Sequence, residues 1–281
     1  ILAATSSSCI GSKTWAPYDM IVISLSSSRI TLQCWILLDL FLTIFCEPSQ
    51  YEENIFGFLK IGYMFLNYSI LWFGAWLSVF YCIKVASFTQ SFFIWLKLRI
   101  ARLVPWVLLA SWLCSFTAAI PFAWDLYVVH NNDTATSSMT NSSAMRIRRK
   151  DTLGLIILLC NAGIGLPLIL SVVSSILLIQ SLWIHTRRMR NNTSGFRDPS
   201  LEAHMKAIKS VCSLLTFYVI YFIAFSFLLY NFFLAFSTPK SICIAVMAAC
   251  PTGHSIVLIW SNPKFRELTA RIWRHTNCPV R

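Results

Sequence analysis

Arg29, Asp39 and His254 are the residues whose chemistry stands out, because each interrupts a long apolar run. Arg29 and Asp39 share the run from 20 to 45. Ten helical residues span ~15 Å, so the two cannot pair, and each must face polar surroundings. Arg29 lies nearer one end of the run and Asp39 nearer the other. His254 is the one histidine inside such a run, where a single imidazole is more often a packed, hydrogen-bonded group than a metal ligand or a base. The chain holds no Gly-rich phosphate loop, HExxH, Cys/His metal spacing or GxSxG. These residues therefore predict no enzyme, no catalytic residue, no cofactor and no metal site. Of the ten cysteines, Cys34, Cys82, Cys114, Cys160 and Cys212 fall within apolar runs and read as small buried hydrophobes. Cys46 and Cys243 lie near run ends, where sequence alone cannot pair them, and Cys278 in the basic tail is a palmitoylation candidate that reads better as unmodified.

The elements that position these residues follow from composition. Of 281 residues, 57% are hydrophobic and 12% charged, which belongs to a polytopic membrane protein rather than a soluble domain. Six runs are long enough for a ~30 Å bilayer core at ~1.5 Å per residue: 20–45, 55–83, 103–124, 153–183, 210–236 and 241–260. They are too long and too uniformly apolar for barrel strands, so the fold class is an all-α transmembrane bundle. The segments are a stretch 1–17 before the bundle, the bundle at 18–261 and a tail at 262–281.

A basic polar island, SLWIHTRRMRNNTSGFRDPSLEAHMKAIK at 181–209, separates two of these runs. Placing it in the cytoplasm puts Lys13, the 84–102 segment and the tail there too. That side then collects 16 of the 23 Lys and Arg, and the other receives Lys60, Arg146, Arg148, Arg149, Lys150 and Lys240. This is the positive-inside bias, with both ends of the chain cytoplasmic. The net charge of +12 thus reads as orientation and contact with membrane lipid, and nucleic acid is not an expected partner. The cluster 146–150 opposes this orientation and is outweighed. Sequons at Asn132 and Asn141 fall in the outer loop 125–152, where glycosylation is available. Those at Asn191 and Asn192 lie inside, and that at Asn67 within a helix, so all three stay bare.

Five segments resemble one family: YDMIVISLSSSRI (18–30), LWFGAWLSVFYCIKVASF (71–88) with FIWLKLRI (93–100), SLWIHTRRM (181–189), RDPSLEAHMKAIK (197–209) and HSIVLIWSNPKFR (254–266). In order and spacing they are similar to the vertebrate bitter taste receptors (taste receptor type 2), which are seven-helix G-protein-coupled receptors. The resemblance implies that the six spans are helices two to seven. The chain opens on Ile1, and residues 1–11 are too short and Ser-rich to span or to act as a signal peptide, so the expectation is a fragment lacking a first helix. Two features depart from rhodopsin-like receptors. The loop 125–152 has no cysteine to pin to the helix starting at Ile55, and FYCIK (80–84) stands where a DRY motif would be.

What the resemblance implies for function is a plasma-membrane receptor that binds small bitter compounds from outside and activates a heterotrimeric G protein of the gustducin type. Receptor copies in an oligomer are a further partner class. The family places ligand contacts at the level of Trp72, Phe73 and Trp76, with Trp72 and Trp76 four apart on one face. Tyr221, Phe225, Ile244 and Met247 would face the same cavity, where Met suits a promiscuous pocket. Ordinary core packing is the competing reading for each. An arginine at the place of Arg29 ties the second helix to the first and seventh in the family, making Ser255 and His254 its partners in a structural lock; with the first helix absent, part of that network has no partner. Asp39 is either a contact for cationic compounds or a solvated residue at the pocket mouth. Lys84, His185, Arg188, His204 and Lys206 are the candidates for the G-protein side, although a basic rim also serves as an insertion signal. Pro167 and Pro251 would kink their helices.

A six-helix transporter or channel is the alternative class. It calls for intramembrane acid/base pairs, a repeat between halves or broken segments in matching positions, and the chain shows one Arg, one Asp and no repeat. A truncated non-functional receptor is the other alternative. The topology carries a direct test. In expressed protein, a glycosidase mobility shift is expected from Asn132 or Asn141 only, and a shift that persists in the Asn132→Gln/Asn141→Gln variant overturns the orientation.

Overall fold

The structure, a computed structural model, describes residues 16–45, 53–86, 91–134, 142–192, 199–234 and 240–261, with 266, 267 and 270. These form α1 (Pro17–Phe45), α2 (Glu53–Val85), α3 (Ser91–Thr134), α4 (Ser142–Asn192), α5 (Pro199–Leu234) and α6 (Lys240–Ser261). All six contain a stretch long and apolar enough to cross a membrane. Pro17 and Pro199 open α1 and α5 at the first helical position, where the missing N–H has no intrahelical partner to lose. Lys13, Cys46, Asn141, Cys278 and nearly all of the tail lie outside the described residues.

The helices run further than the hydrophobic spans. The predicted segment 84–102 is helical from Ser91 onward, and the membrane-length part of α3 starts at Phe93 rather than 103. Lys97, Arg99 and Arg102 are tolerated there because long cationic side chains reach out of the apolar layer, and Arg99 lies over the Trp95 ring at 5.1 Å. The predicted outer loop 125–152 is helical to Thr134 and again from Ser142, which puts Asn132 in the last turn of α3. Likewise the basic island is helix through Asn192 and from Pro199. Hydropathy marks where a helix leaves the membrane, not where the helix stops. Helices α3 and α4 contain Pro105, Pro121 and Pro167 internally.

Contacts fix the register. Trp35 donates its indole N–H to the Leu59 carbonyl at 2.9 Å, while Tyr81 and Tyr18 meet hydroxyl to hydroxyl at 3.4 Å, so α1 and α2 are antiparallel. Helices α2 and α5 are antiparallel too, since Tyr218 reaches Leu71 and Tyr221 reaches Asn67. Helix α4 runs parallel to α2, with Tyr68 meeting Cys160 and Ser78 meeting Ser171. Two ends result, named here for Tyr18 and for Trp35.

Helix α2 is the axis. Of its span 78% is buried, against 28–39% for the other five. One core cluster gathers Met64, Tyr68, Ala119, Ile164, Phe225 and Met247 toward the Trp35 end. A second joins Ile21, Leu25, Phe73, Leu77, Val104 and Leu108, and a third Cys82, Leu178 and Leu182 toward the Tyr18 end. Lipid-facing residues are apolar as well, including Trp106, Leu113 and Trp260.

Small residues set the close approaches. A Cβ on Gly62 would run into the Trp35 indole, and one on Gly253 would come within 2.7 Å of the Phe217 ring. Gly253→Ala is expected to cost ~1–2 kcal/mol in thermal unfolding of the purified protein, through overpacking against α5. In a Phe217→Ala background the same change should cost less than ~0.5 kcal/mol. Equal costs in both backgrounds would show that α5 and α6 do not meet at this point.

Candidate functional site

Among the described residues, buried polar side chains occur on α1, α2, α3, α4 and α6, including Asn67 on α2, Ser111 on α3, Ser171 on α4 and His254 on α6, and two seams tie helices together through tyrosines or Arg29. Asn67 is fully buried in mid-helix, which leaves its sequon without an accessible amide. Its Nδ2 donates to the Tyr63 carbonyl at 2.6 Å, and its Oδ1 accepts from the Tyr221 hydroxyl. One turn further, the Tyr218 hydroxyl donates to the Leu71 carbonyl at 2.8 Å, its ring 3.3 Å from where a Cβ of Gly74 would stand. Two tyrosines of α5 therefore hold α2 through neutral hydrogen bonds, and Gly74 makes room for the second.

The other polar seam ties α1 to α6. Arg29 Nη1 donates to Ser255 Oγ at 3.1 Å, and the Ser255 hydroxyl donates to the Pro251 carbonyl at 2.8 Å. Gln33 Nε2 reaches the Ala248 carbonyl at 3.4 Å, farther along the same pair. His254 is 5% exposed and lines the same cavity as Arg29. That cavity, about 40 Å³, lies where α1, α2, α5 and α6 meet and is bordered by Leu71, Tyr218, Tyr221, Cys250 and Pro251 among others. A water needs ~10–15 Å³ of such space, so the cavity has room for a few small species and not for a drug-sized ligand.

The residues expected from sequence divide into groups. Tyr221, Phe225 and Met247 are buried together in the cluster toward the Trp35 end. Arg29 and Ser255 are bonded, and His254 stands beside them. Trp72, Phe73 and Trp76 do not line the cavity bordered by Tyr221. Trp76 donates its indole N–H to Ser111 Oγ of α3 at 2.8 Å, and Phe73 is sealed in the α1/α2/α3 cluster. Trp72, four residues before Trp76, shares that face and is half-buried. The face of α2 turned to α5 instead carries Asn67, Leu71 and Gly74. Ile244 is 37% exposed on α6, whereas Met247 turns inward.

Asp39 is exposed on α1 and does not line the cavity. Lys84 is exposed at the Tyr18 end, its ammonium 5.7 Å from the Phe80 ring centroid. His185 and Arg188 fall on the last turns of α4, and His204 and Lys206 on the first turns of α5; their side chains lie outside the described residues. Asn67, Tyr63 and Tyr218 were missed as site residues. The available signal was a mid-span Asn spaced to meet a tyrosine pair, and it was read only as a sequon.

Comparison of the sequence with known proteins gives the family. The model of the taste receptor protein (TAS2R) family matches residues 1–277. The chain is 56% identical over all 281 residues to taste receptor type 2 member 40 of Gallus gallus, covering 90% of that protein. It is 34% identical over 272 residues, 97% of its length, to taste receptor type 2 member 39 of Homo sapiens, covering 80% of that protein. Similarity to taste receptor type 2 member 2 of Homo sapiens is 34% over 259 residues, or 91% of this chain and 84% of the relative. A six-helix membrane bundle matched by this family along nearly its whole length belongs to the taste receptor protein (TAS2R) family, a family of multi-pass membrane receptors.

Proposed function

We propose that this chain is a bitter taste receptor that takes small bitter compounds from the extracellular side and activates a gustducin-type G protein at the cytoplasmic face. The observation that carries the ligand assignment is the buried Asn67–Tyr221 pair. It lies beside the cluster of Met64, Tyr68, Phe225 and Met247. A few convergent polar groups within an adaptable apolar lining suit varied lipophilic ligands, and methionine thioethers reshape at low cost. The cluster lies toward the Trp35 end, which the charge bias places outside. The opposite end carries Lys84 and the helix termini bearing His185, Arg188, His204 and Lys206, and would meet the G protein.

The pair also supports a signalling route. A ligand that competes for Asn67 or for the Tyr221 hydroxyl loosens the tether between α2 and α5, and α5 continues to the basic end at Pro199. Differential affinity for the tethered and released arrangements is all that a ligand needs in order to shift the population.

In cells expressing the receptor with a gustducin-type G protein, calcium responses to a panel of bitter compounds test this. Removing one partner of a buried hydrogen bond costs ~1–3 kcal/mol, or roughly five- to 150-fold. Asn67→Leu and Tyr221→Phe should therefore shift half-maximal concentrations by about that factor and reorder the agonists at matched surface levels. Trp76→Phe, which loses only its bond to Ser111, should lower surface expression without reordering them. Unchanged dose-response curves for both of the first two variants would remove the ligand site from this pair.

A further inference from the structure

We propose that the membrane-facing stripe of α3 is a docking site for one anionic phospholipid of the cytoplasmic leaflet, its phosphate held by Arg99 and Arg102 and an acyl chain laid along Trp106, Leu109 and Leu113. The inference stands apart from the bitter-ligand reading and uses only the orientation given by the charge bias. Trp95, Arg99, Arg102, Trp106, Leu109 and Leu113 follow one another at steps of four, three, four, three and four. With 3.6 residues per turn, such steps keep all six within a sector of roughly 80° of the helix surface. All six are exposed. The opposite side of α3 carries Val104, Leu108, Ser111 and Ser115, which are buried, and Ser111 accepts the Trp76 indole N–H of α2. The stripe is therefore the side of α3 turned away from the bundle. Helix α3 packs on α1, α2 and α4, so the stripe takes nothing from the Arg29 seam between α1 and α6.

The charge on the stripe is gathered at one end. Helix α3 begins at the Tyr18 end, where α2 finishes, and its carboxylate residues, Asp125 and Asp133, fall in its far part. Arg99 and Arg102, three apart on one face, can meet a single phosphate together, since the guanidinium fork matches its oxygens. Trp95, one turn nearer the helix start, has the Arg99 guanidinium over its ring at 5.1 Å, which steadies that fork. An indole at this level marks the headgroup depth. From Arg102 to Leu113 the helix rises ~16 Å, close to half of a ~30 Å hydrocarbon core, so one acyl chain of that leaflet matches the apolar part of the stripe. The cytoplasmic leaflet is also where anionic lipid is found. A second copy of the chain fits less well: two copies inserted in the same orientation would bring four guanidiniums to one depth, and like charges facing each other are costly. Basic residues that serve only as an insertion signal need no common face. Lys97, about 200° around the helix from Arg99, shows the difference, because it shares the turn and not the stripe.

The test is native mass spectrometry of the purified full chain in detergent, titrated with phosphatidylserine or with phosphatidylcholine of the same acyl chains, and with the bound lipids counted. One phosphatidylserine is expected to bind roughly tenfold or more tightly than phosphatidylcholine, and inorganic phosphate at the same concentration should not displace it. Arg99→Gln or Arg102→Gln should weaken that first phosphatidylserine by about fivefold each, and the pair by roughly thirtyfold, as the loss of one and of two near-surface cations predicts. Arg99→Lys/Arg102→Lys keeps the charge and the insertion signal but loses the fork, and should still weaken binding by about fivefold. Lys97→Gln should leave it unchanged. Should the double Gln variant fail to insert, the single Gln and double Lys variants still decide. Equal affinity for the two lipids, phosphatidylserine binding undiminished in the single Gln and double Lys variants, or an equal loss in Lys97→Gln overturns the proposal and leaves a diffuse basic rim. A dimer that forms without lipid and is lost in Trp106→Ala overturns it too, and gives the stripe to a second copy.

Discussion

One constraint organises this molecule: in hydrocarbon, every buried polar group must find its partner inside the protein. A helix sheathed by other helices can carry polar residues that a lipid-facing helix cannot, and α2 is the sheathed one. It holds Asn67, Ser69 and Ser78 at 0–3% exposure. The two serines return their hydroxyls to the carbonyls of Phe65 and Gly74 one turn earlier, and Asn67 does the same with Tyr63. Such local bonds satisfy the donor without needing a neighbour. They also leave acceptors free for one: Asn67 Oδ1 and Ser78 Oγ meet Tyr221 of α5 and Ser171 of α4. The polar residues of α2 thereby fix which helices surround it and in what register.

Close approach follows from the same constraint. Between membrane helices there is no hydrophobic gain from leaving lipid, so packing and interhelical hydrogen bonds must supply the association. Gly74 lets the Tyr218 ring lie against α2, which brings its hydroxyl to the Leu71 carbonyl. Gly62 accepts the Trp35 indole, and the indole N–H then reaches Leu59. In each case an absent side chain on α2 admits an aromatic ring whose polar tip finishes a hydrogen bond.

The six spans were legible in the sequence because hydropathy over twenty residues is a strong signal and charge asymmetry orders the loops. The site was less legible. A helix that is apolar all round gives no periodic clue to the face it turns inward, so Trp72 and Trp76 read as pocket lining when Trp76 turns to Ser111 of α3. Ile244 and Met247, three residues apart, were read as alike although one is 37% and the other 2% exposed. Tyr221, Phe225 and Met247 are buried in one cluster on α5 and α6. Arg29 and Ser255 were found from a different kind of signal, since a charge in an apolar run demands a partner and the polar residues of α6 are few. Asn67 carried that same signal, masked by its coincidence with a sequon.

The arrangement of α5 shows why these polar contacts matter beyond stability. Its two tethers, Tyr218 and Tyr221, lie within one turn of each other near mid-bundle. The Leu71 carbonyl lies within α2's own hydrogen-bond ladder, so Tyr218 bonds its second lone pair at 2.8 Å. Tyr221 instead shares a side-chain acceptor that has no helical duty. Losing the Tyr221 bond leaves Asn67 in need of another donor, whereas losing the Tyr218 bond leaves the α2 backbone intact. The two tethers are therefore unequal: one ends on a side-chain acceptor, and the other on a backbone carbonyl already bonded within α2. A side-chain acceptor can be met by another donor without breaking a helix, so the proposed ligand route runs through Tyr221 rather than Tyr218.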